Sequence, residues 1–156
     1  MEKPWIPKTQ RDAVVLSALE AVRAFSDSMD RMYAGMRGDM DMNTTDLAAL
    51  RMLIIREQNG DVVKPHDLAT HLAISTASTT KLLDRLTEAG YLTRKPHPTD
   101  RRARIVALTE AARHEFHRHF GQRLKAMREA MVGYTDDELR AVVRFLSDME
   151  SAMLPR

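Results

Sequence analysis

Between Lys64 and Leu108 the chain reads KPHDLATHLAISTASTTKLLDRLTEAGYLTRKPHPTDRRARIVAL, and the turn-forming residues in this stretch leave little freedom in how it folds. Pro65 suits the first turn of a short helix, where its missing N–H would have had no intrahelical partner, and Leu68, Ala69 and Leu72 supply an inner face. Ala73-Ile74 then makes a tight turn. Ser75 caps a second helix, 75–89, which Gly90 ends in the left-handed conformation. Tyr91–Lys95 and Arg104–Leu108 read as strands, and Pro96-His97-Pro98-Thr99-Asp100 is too proline-rich to continue either, so a hairpin joins them. That order is a helix-turn-helix followed by a wing, residues 96–104.

Outside this stretch the apolar residues keep the steps of three or four that mark a half-buried helix. They do so at Val15, Leu19, Val22, Phe25, Met29, Met32 and Met36, with Gly38 as the expected stop. Asn43 or Thr44 caps a helix with the stripe Leu47, Leu50 and Ile54, Asn59-Gly60 ends it, and Asp61–Val63 forms a minimal strand. Thr109-Glu110 opens a long helix carrying Phe116, Phe120, Leu124, Met127 and Met131; Thr135 with Glu138 makes a capping box for a last helix bearing Leu139, Val142, Leu146, Met149 and Met153. Met1–Thr9, with two prolines and the only tryptophan, reads as an irregular arm. These long helices offer more apolar face than one compact motif can cover, and a symmetric dimer buries the remainder. The expected class is mainly α: a winged helix-turn-helix with a small β-hairpin wing and long N- and C-terminal dimerisation helices. We expect one domain over 1–156, with the winged region at about 44–109 and dimerisation helices at 10–37 and 110–153.

The formal net charge is only +2, so the location of charge decides what it can bind. Arg94, Lys95, Arg101, Arg102 and Arg104 face Asp100 alone within the Tyr91–Ile105 stretch, while Asp27, Asp30, Asp39, Asp41 and Asp46 make the first third acidic. With no cysteine there is no disulfide framework, thiolate zinc site or cysteine redox sensor. No apolar run approaches about 18 residues and no charged segment precedes an apolar one at the start, so the expected location is cytoplasmic, without membrane contact. No Ser-His-Asp order, glycine-rich phosphate loop or paired carboxylates stand out; the expectation is no enzyme, no catalytic residue and no cofactor. His114 and His117 share a helix face three residues apart, near His119, but lack a placed third ligand, so solvated histidines and no metal are expected.

The second helix of the motif turns Thr76, Ser78, Lys81 and Arg85 outward, and a helix lying in a major groove reaches base edges with its first turns. Hydroxyls contact bases or phosphates without fixing one base identity, while Lys81 and Arg85 neutralise phosphate or pair with guanine. A solvated face on a three-helix core would carry the same residues. The wing shifts the balance: Asp100-Arg101-Arg102 at a hairpin tip offers guanidinium groups to a minor groove, with Asp100 able to orient one arginine by a bidentate pair.

At this point the chain resembles the MarR family of bacterial transcription regulators. The resemblance runs through Asp67-Leu68-Ala69, Leu72, Ile74-Ser75, Thr80-Lys81-Leu82-Leu83-Asp84-Arg85-Leu86, Gly90-Tyr91-Leu92, Asp100-Arg101-Arg102 and Val106-Ala107-Leu108-Thr109-Glu110. It implies a homodimer that presents two winged motifs to a pseudo-palindromic operator, with Ser75, Thr76, Ser78, Thr80 and Lys81 at the major groove. Arg102, paired with Asp100, would enter the minor groove. It further implies a small aromatic or phenolic effector, held between the dimerisation helices and the winged motif, for which Tyr33, Met36, Arg51 and Met52 are the candidates. Met29, Met32, Met36, Met40, Met42 and Met52 otherwise read as core or dimer packing. Two departures from the family pattern are Thr79, at a usually apolar position, and Lys64, where a capping serine or threonine is common. The expectation is a sequence-specific DNA-binding transcriptional regulator, a homodimeric repressor released by its effector. The alternatives are a winged-helix protein-interaction module and a metal-responsive regulator using His114 and His117.

Overall fold

The computed structural model describes residues 4–154; Met1–Lys3 of the expected arm and Pro155-Arg156 at the end of the expected domain lie outside the described residues. The order is α1 (Gln10–Met40), α2 (Thr44–Gln58), α3 (Pro65–Leu72), α4 (Thr76–Glu88), β1 (Leu92–Pro96), β2 (Arg104–Leu108), α5 (Glu110–Met131) and α6 (Asp136–Met153). The chain forms two compact units, Met1–Glu115 and Phe116–Arg156, divided within α5.

In the first unit the capping chemistry places each helix. Thr9 and Asp12 form a reciprocal capping box at α1: the Thr9 hydroxyl accepts from the Asp12 N–H at 3.1 Å, and the Asp12 carboxylate accepts from the N–H groups of Lys8 and Thr9 at 2.9 Å each. Those bonds, Lys8 first, hold the Asp12 carboxyl below its ordinary value. The helix does not stop at Gly38. It runs to Met40 and ends at Asp41, which adopts the left-handed conformation at φ 52°. Glycine inside a helix costs about 1 kcal/mol, which burying a methionine side chain outweighs, and Met40 is buried.

Asn43 caps α2 by accepting from the Asp46 N–H at 2.8 Å. At α3 half a capping box forms: Asp67 accepts from the Lys64 N–H at 2.8 Å, but an ammonium group has no lone pair for the return bond. The expected minimal strand is a single bridge, Val63 to Val106. Ser75 caps α4 and Gly90, at φ 83°, closes it. Strands β1 and β2 pair antiparallel from Leu92↔Leu108 to Pro96↔Arg104, so Pro96 ends β1 rather than breaking it; the outer edge of a two-stranded ribbon tolerates a residue with no N–H. The Thr109 hydroxyl donates to the Gly90 carbonyl at 2.7 Å and accepts from the Ala112 N–H, joining the start of α5 to the end of α4.

The core of this unit is a cluster of fully buried side chains: Met36 from α1, Leu47 and Leu50 from α2, Leu68 from α3, Leu82 and Leu86 from α4, and Leu92 from β1. Each buried leucine contributes about 1.5–3 kcal/mol over its exposed state. Thr79, the polar residue at a usually apolar position, also lies in the buried face, and its hydroxyl donates to the Ser75 carbonyl at 2.9 Å, so the buried polar group is satisfied. Arg113 at the start of α5 reaches the Glu57 carboxylate at the end of α2, with its Nε 3.0 Å from Oε1, and bonds to Glu110 and the Leu108 carbonyl as well. These carboxylates, Glu57 first, raise the Arg113 pKa above its ordinary value.

In the second unit the expected Thr135–Glu138 capping box forms at α6. The apolar stripe of α6 is present but holds no buried residue: Val142, Val143, Leu146 and Met153 are all exposed. Among the described residues no helix is long and apolar enough to cross a membrane.

The glycine positions give opposite expectations. A Cβ at Gly38 meets nothing within 4 Å inside a regular helix, so Gly38→Ala should raise the urea-unfolding free energy by about 0.5–1 kcal/mol. A Cβ at Gly90 also has space, but the left-handed backbone there should make Gly90→Ala destabilising by about 1 kcal/mol or more.

Candidate nucleic-acid interface

Helix α4 divides sharply between its two sides. Thr79, Leu82, Leu83 and Leu86 are buried, whereas Thr76, Ser78, Thr80 and Lys81 are exposed. The hydroxyls are not equally free. Ser75 accepts from the Ser78 N–H at 3.1 Å and donates to the Ser78 hydroxyl at 3.0 Å, while Thr80 donates to the Thr76 carbonyl at 3.1 Å. Ser75 therefore serves first as a cap, and the Thr76 hydroxyl is the one on this face with no partner among the described residues. Lys81 likewise has no carboxylate partner there.

Arg85 is placed differently from Lys81. Its guanidinium forms a two-pronged ion pair with Asp46 at the first turn of α2, Nη2 to Oδ1 at 2.6 Å and Nε to Oδ1 at 3.1 Å. Asp46 is buried, so its charge is held in place by this partner. Bonding to Asp46 raises the Arg85 pKa above its ordinary value. Arg85, expected to grip phosphate or guanine, is thus occupied within the fold through Nε and Nη2. Arg94 on β1 is similarly committed, to Asp84 on α4 at 2.7 Å. Sequence reasoning missed both ties, having counted Asp46 only as part of an acidic first third.

The wing is organised around His97, another residue that no local pattern singles out. Its Nδ1 accepts from the N–H groups of Thr99 and Asp100 at 3.1 and 3.2 Å, and its backbone N–H donates to the Ala103 carbonyl at 3.0 Å. The bidentate pair expected between Asp100 and an arginine does not form. Asp100 instead accepts from the Arg102 backbone N–H at 3.0 Å, because a carboxylate two residues back in a tight turn reaches the main chain first. Arg101 and Arg102 are exposed, and with Lys95 and Arg104 they have no carboxylate partner among the described residues.

The four effector candidates separate into two pairs. Arg51 stacks on Tyr33 across α1 and α2, its guanidinium carbon 3.9 Å from the ring centroid, whereas Met36 and Met52 are buried in the core. An apolar hollow lies elsewhere, between the end of α2 and β2, lined by Leu53, Val63, Ile105 and Leu108 among others. His114 and His117 are exposed on α5, and no three His, Asp or Glu side chains among the described residues are grouped to hold a metal ion.

The MarR family model matches residues 40–103, the segment that holds α2 to the wing tip. The HTH-type transcriptional regulator YfiV of Bacillus subtilis is 29% identical over 114 residues, which are 73% of this chain and 69% of that protein. Solved structures share the MarR fold over most of their length. A MarR family protein from Bacillus stearothermophilus superposes with a TM-score of 0.63 at 16% identity, covering 94% of this chain and 99% of that one. A MepR variant from S. aureus, bound to an oligodeoxyribonucleotide, does so with a TM-score of 0.56 at 19% identity, over 88% and 98% of the two chains. At these identities the likeness establishes the fold, and the MarR-type winged motif described above is its central part.

Replacing His97 by alanine removes the acceptor for two backbone N–H groups. Amide hydrogen exchange at Thr99 and Asp100 should then accelerate while the thermal midpoint of the protein stays within about 2 °C, since an exposed turn contributes little to global stability. Unchanged exchange at both amides would show that the ring does not hold the wing.

Proposed function

We propose that this chain is a MarR-type DNA-binding transcriptional regulator that works as a homodimer. The observation that carries the reading is the coincidence of four free groups on one motif. Lys81 and Thr76 lie exposed on the first turns of α4, and Arg101 and Arg102 stand exposed on the adjoining wing. A helix of this kind fits a major groove while a neighbouring cationic hairpin is drawn to the strong negative potential of a minor groove. The MepR variant of the same fold bound to an oligodeoxyribonucleotide supports the same use of the motif here.

In this reading residues 44–109 read DNA, with Thr76, Ser78, Thr80 and Lys81 at base edges, Ser75 setting the helix start, and Arg101 and Arg102 at the minor groove. Arg85 sits beside them as a tied residue, and Asp100 shapes the turn rather than pairing with a guanidinium. Helices α1 and α6 pair two copies. The exposed apolar residues Leu16, Leu19 and Phe25 on α1, and Val142, Val143 and Leu146 on α6, are the surface a second copy would cover. Two reading heads about one DNA turn apart require a fixed separation, so a small aromatic effector favouring another separation releases the operator and makes the protein a repressor. Of the four effector candidates, Tyr33 and Arg51 remain accessible enough to touch such a ligand.

Genomic fragments selected by the purified protein supply the operator, and salt titration on it tests the interface. Log affinity should fall linearly with log salt; Arg102→Ala should flatten the slope by about 0.9 for every phosphate no longer neutralised, whereas Lys81→Ala should weaken the operator by about 1–3 kcal/mol more than an unrelated duplex. Failure to bind any duplex at low salt would overturn the reading. Sedimentation at micromolar concentration should give a dimer, and Leu146→Glu, which places a charge in the proposed interface, should shift it to monomer; an unchanged dimer would remove α6 from the interface.

A further inference from the structure

We propose that Asp46 and Arg85 form a positioning pair that fixes the seat of α4 on α2, so that Asp46 governs operator discrimination without itself touching DNA. The inference rests on the DNA-binding reading above and adds a residue to it that lies outside the reading face.

The two residues are 39 positions apart in sequence, and their pairing has unusual leverage. One Asp46 oxygen accepts from both Nη2 and Nε of Arg85; the other lies 3.3 Å from Nε and 3.4 Å from the Asn43 backbone nitrogen, at the start of α2. The carboxylate therefore belongs at once to the cap of α2 and to the third turn of α4. Leucine packing between these helices is non-directional and tolerates sliding or rotation. A two-pronged guanidinium–carboxylate pair does not, because both bonds hold only in one relative orientation. With Asp46 buried, breaking the pair would leave its carboxylate without a guanidinium partner, which favours this one orientation.

Thr76, Ser78 and Lys81 occupy the preceding turns of the same helix, and a rigid helix carries any displacement at Arg85 to them. Hydrogen bonds to base edges need donor and acceptor within a few tenths of an ångström of their best distance. Attraction to phosphate falls off gently with distance and is indifferent to the angle. Loosening the pair must therefore damage discrimination more than grip.

The test compares wild type, Asp46→Asn, Arg85→Gln and the double variant on the selected operator and on an unrelated duplex of equal length, each across a salt series. Each single change should weaken operator binding about tenfold while leaving the unrelated duplex within about twofold and the salt slope unchanged. The double variant should be no worse than the worse single one, because the two residues act as a unit. Two results overturn the proposal alone: Asp46→Asn discriminating as well as wild type, or Arg85→Gln weakening both duplexes equally with a slope flatter by about 0.9 per phosphate, which would make Arg85 a direct phosphate ligand. A wild type that binds no duplex overturns the DNA reading and the pair's role together. Circular dichroism melts establish that each variant is folded at the assay temperature. If either single variant is not, the double variant carries the comparison, since it removes the buried carboxylate together with its partner and strands no charge.

Discussion

Leucines from four elements meet in one buried cluster, and every other feature of the first unit is arranged around it. Leu50, Leu68, Leu82, Leu86 and Leu92 bring α2, α3, α4 and the root of β1 together. Such burial is strong but carries no direction, so it decides that the helices pack and leaves open how each is turned. Direction comes from arginine–carboxylate ties around the rim. Asp46–Arg85 joins α2 to α4, Asp84–Arg94 joins α4 to β1, and Glu57–Arg113 joins the end of α2 to α5. Helix α4 is thus held on one side by its neighbour in the core and on the other by the wing.

These ties divide the cationic side chains of the region into two populations. Arg85, Arg94 and Arg113 face carboxylates, and their charge is largely cancelled where they stand. Lys81, Arg101 and Arg102 project from the same region with no such partner among the described residues. A protein whose net charge is only +2 can therefore present a cationic surface over a few residues without being a general polycation. The acidic first third, which alone would oppose nucleic acid, contributes one of its aspartates to building that surface.

What could be read from the chain followed the range of the interaction. Ser75, Gly90, Asn43 and the Thr135–Glu138 box act over three or four residues, so their residue types announce the helix ends that the structure contains. The strand pairing was legible for the same reason, since a short hairpin leaves few alternatives. Gly38 was misread because glycine is a weak signal: its local cost is small beside the burial of Met40, which cannot be foreseen without the partner helix. Asp100 was misread because an aspartate has both a nearby amide and a nearby guanidinium to choose from, and the amide won. Asp46 and Arg85 stand 39 residues apart, and nothing local pairs them. The methionine stripe showed a buried face without telling core from cavity, and Met36 and Met52 proved to be core.

Helix α1 is divided along its own length. Its apolar residues are exposed or half-buried along most of its length, at Leu16, Leu19 and Phe25 for example, and become fully covered only at Met36 and Met40. The helix is therefore covered at one end and exposed or half-buried along most of the rest. The covered end stops at Asp41 in a left-handed turn, and Asn43 and Asp46 follow within the next turn of chain. The covered end of α1 therefore lies next in sequence to the carboxylate that ties α2 to α4. The leucines hold these helices together, and the ion pair adds a direction that such burial lacks.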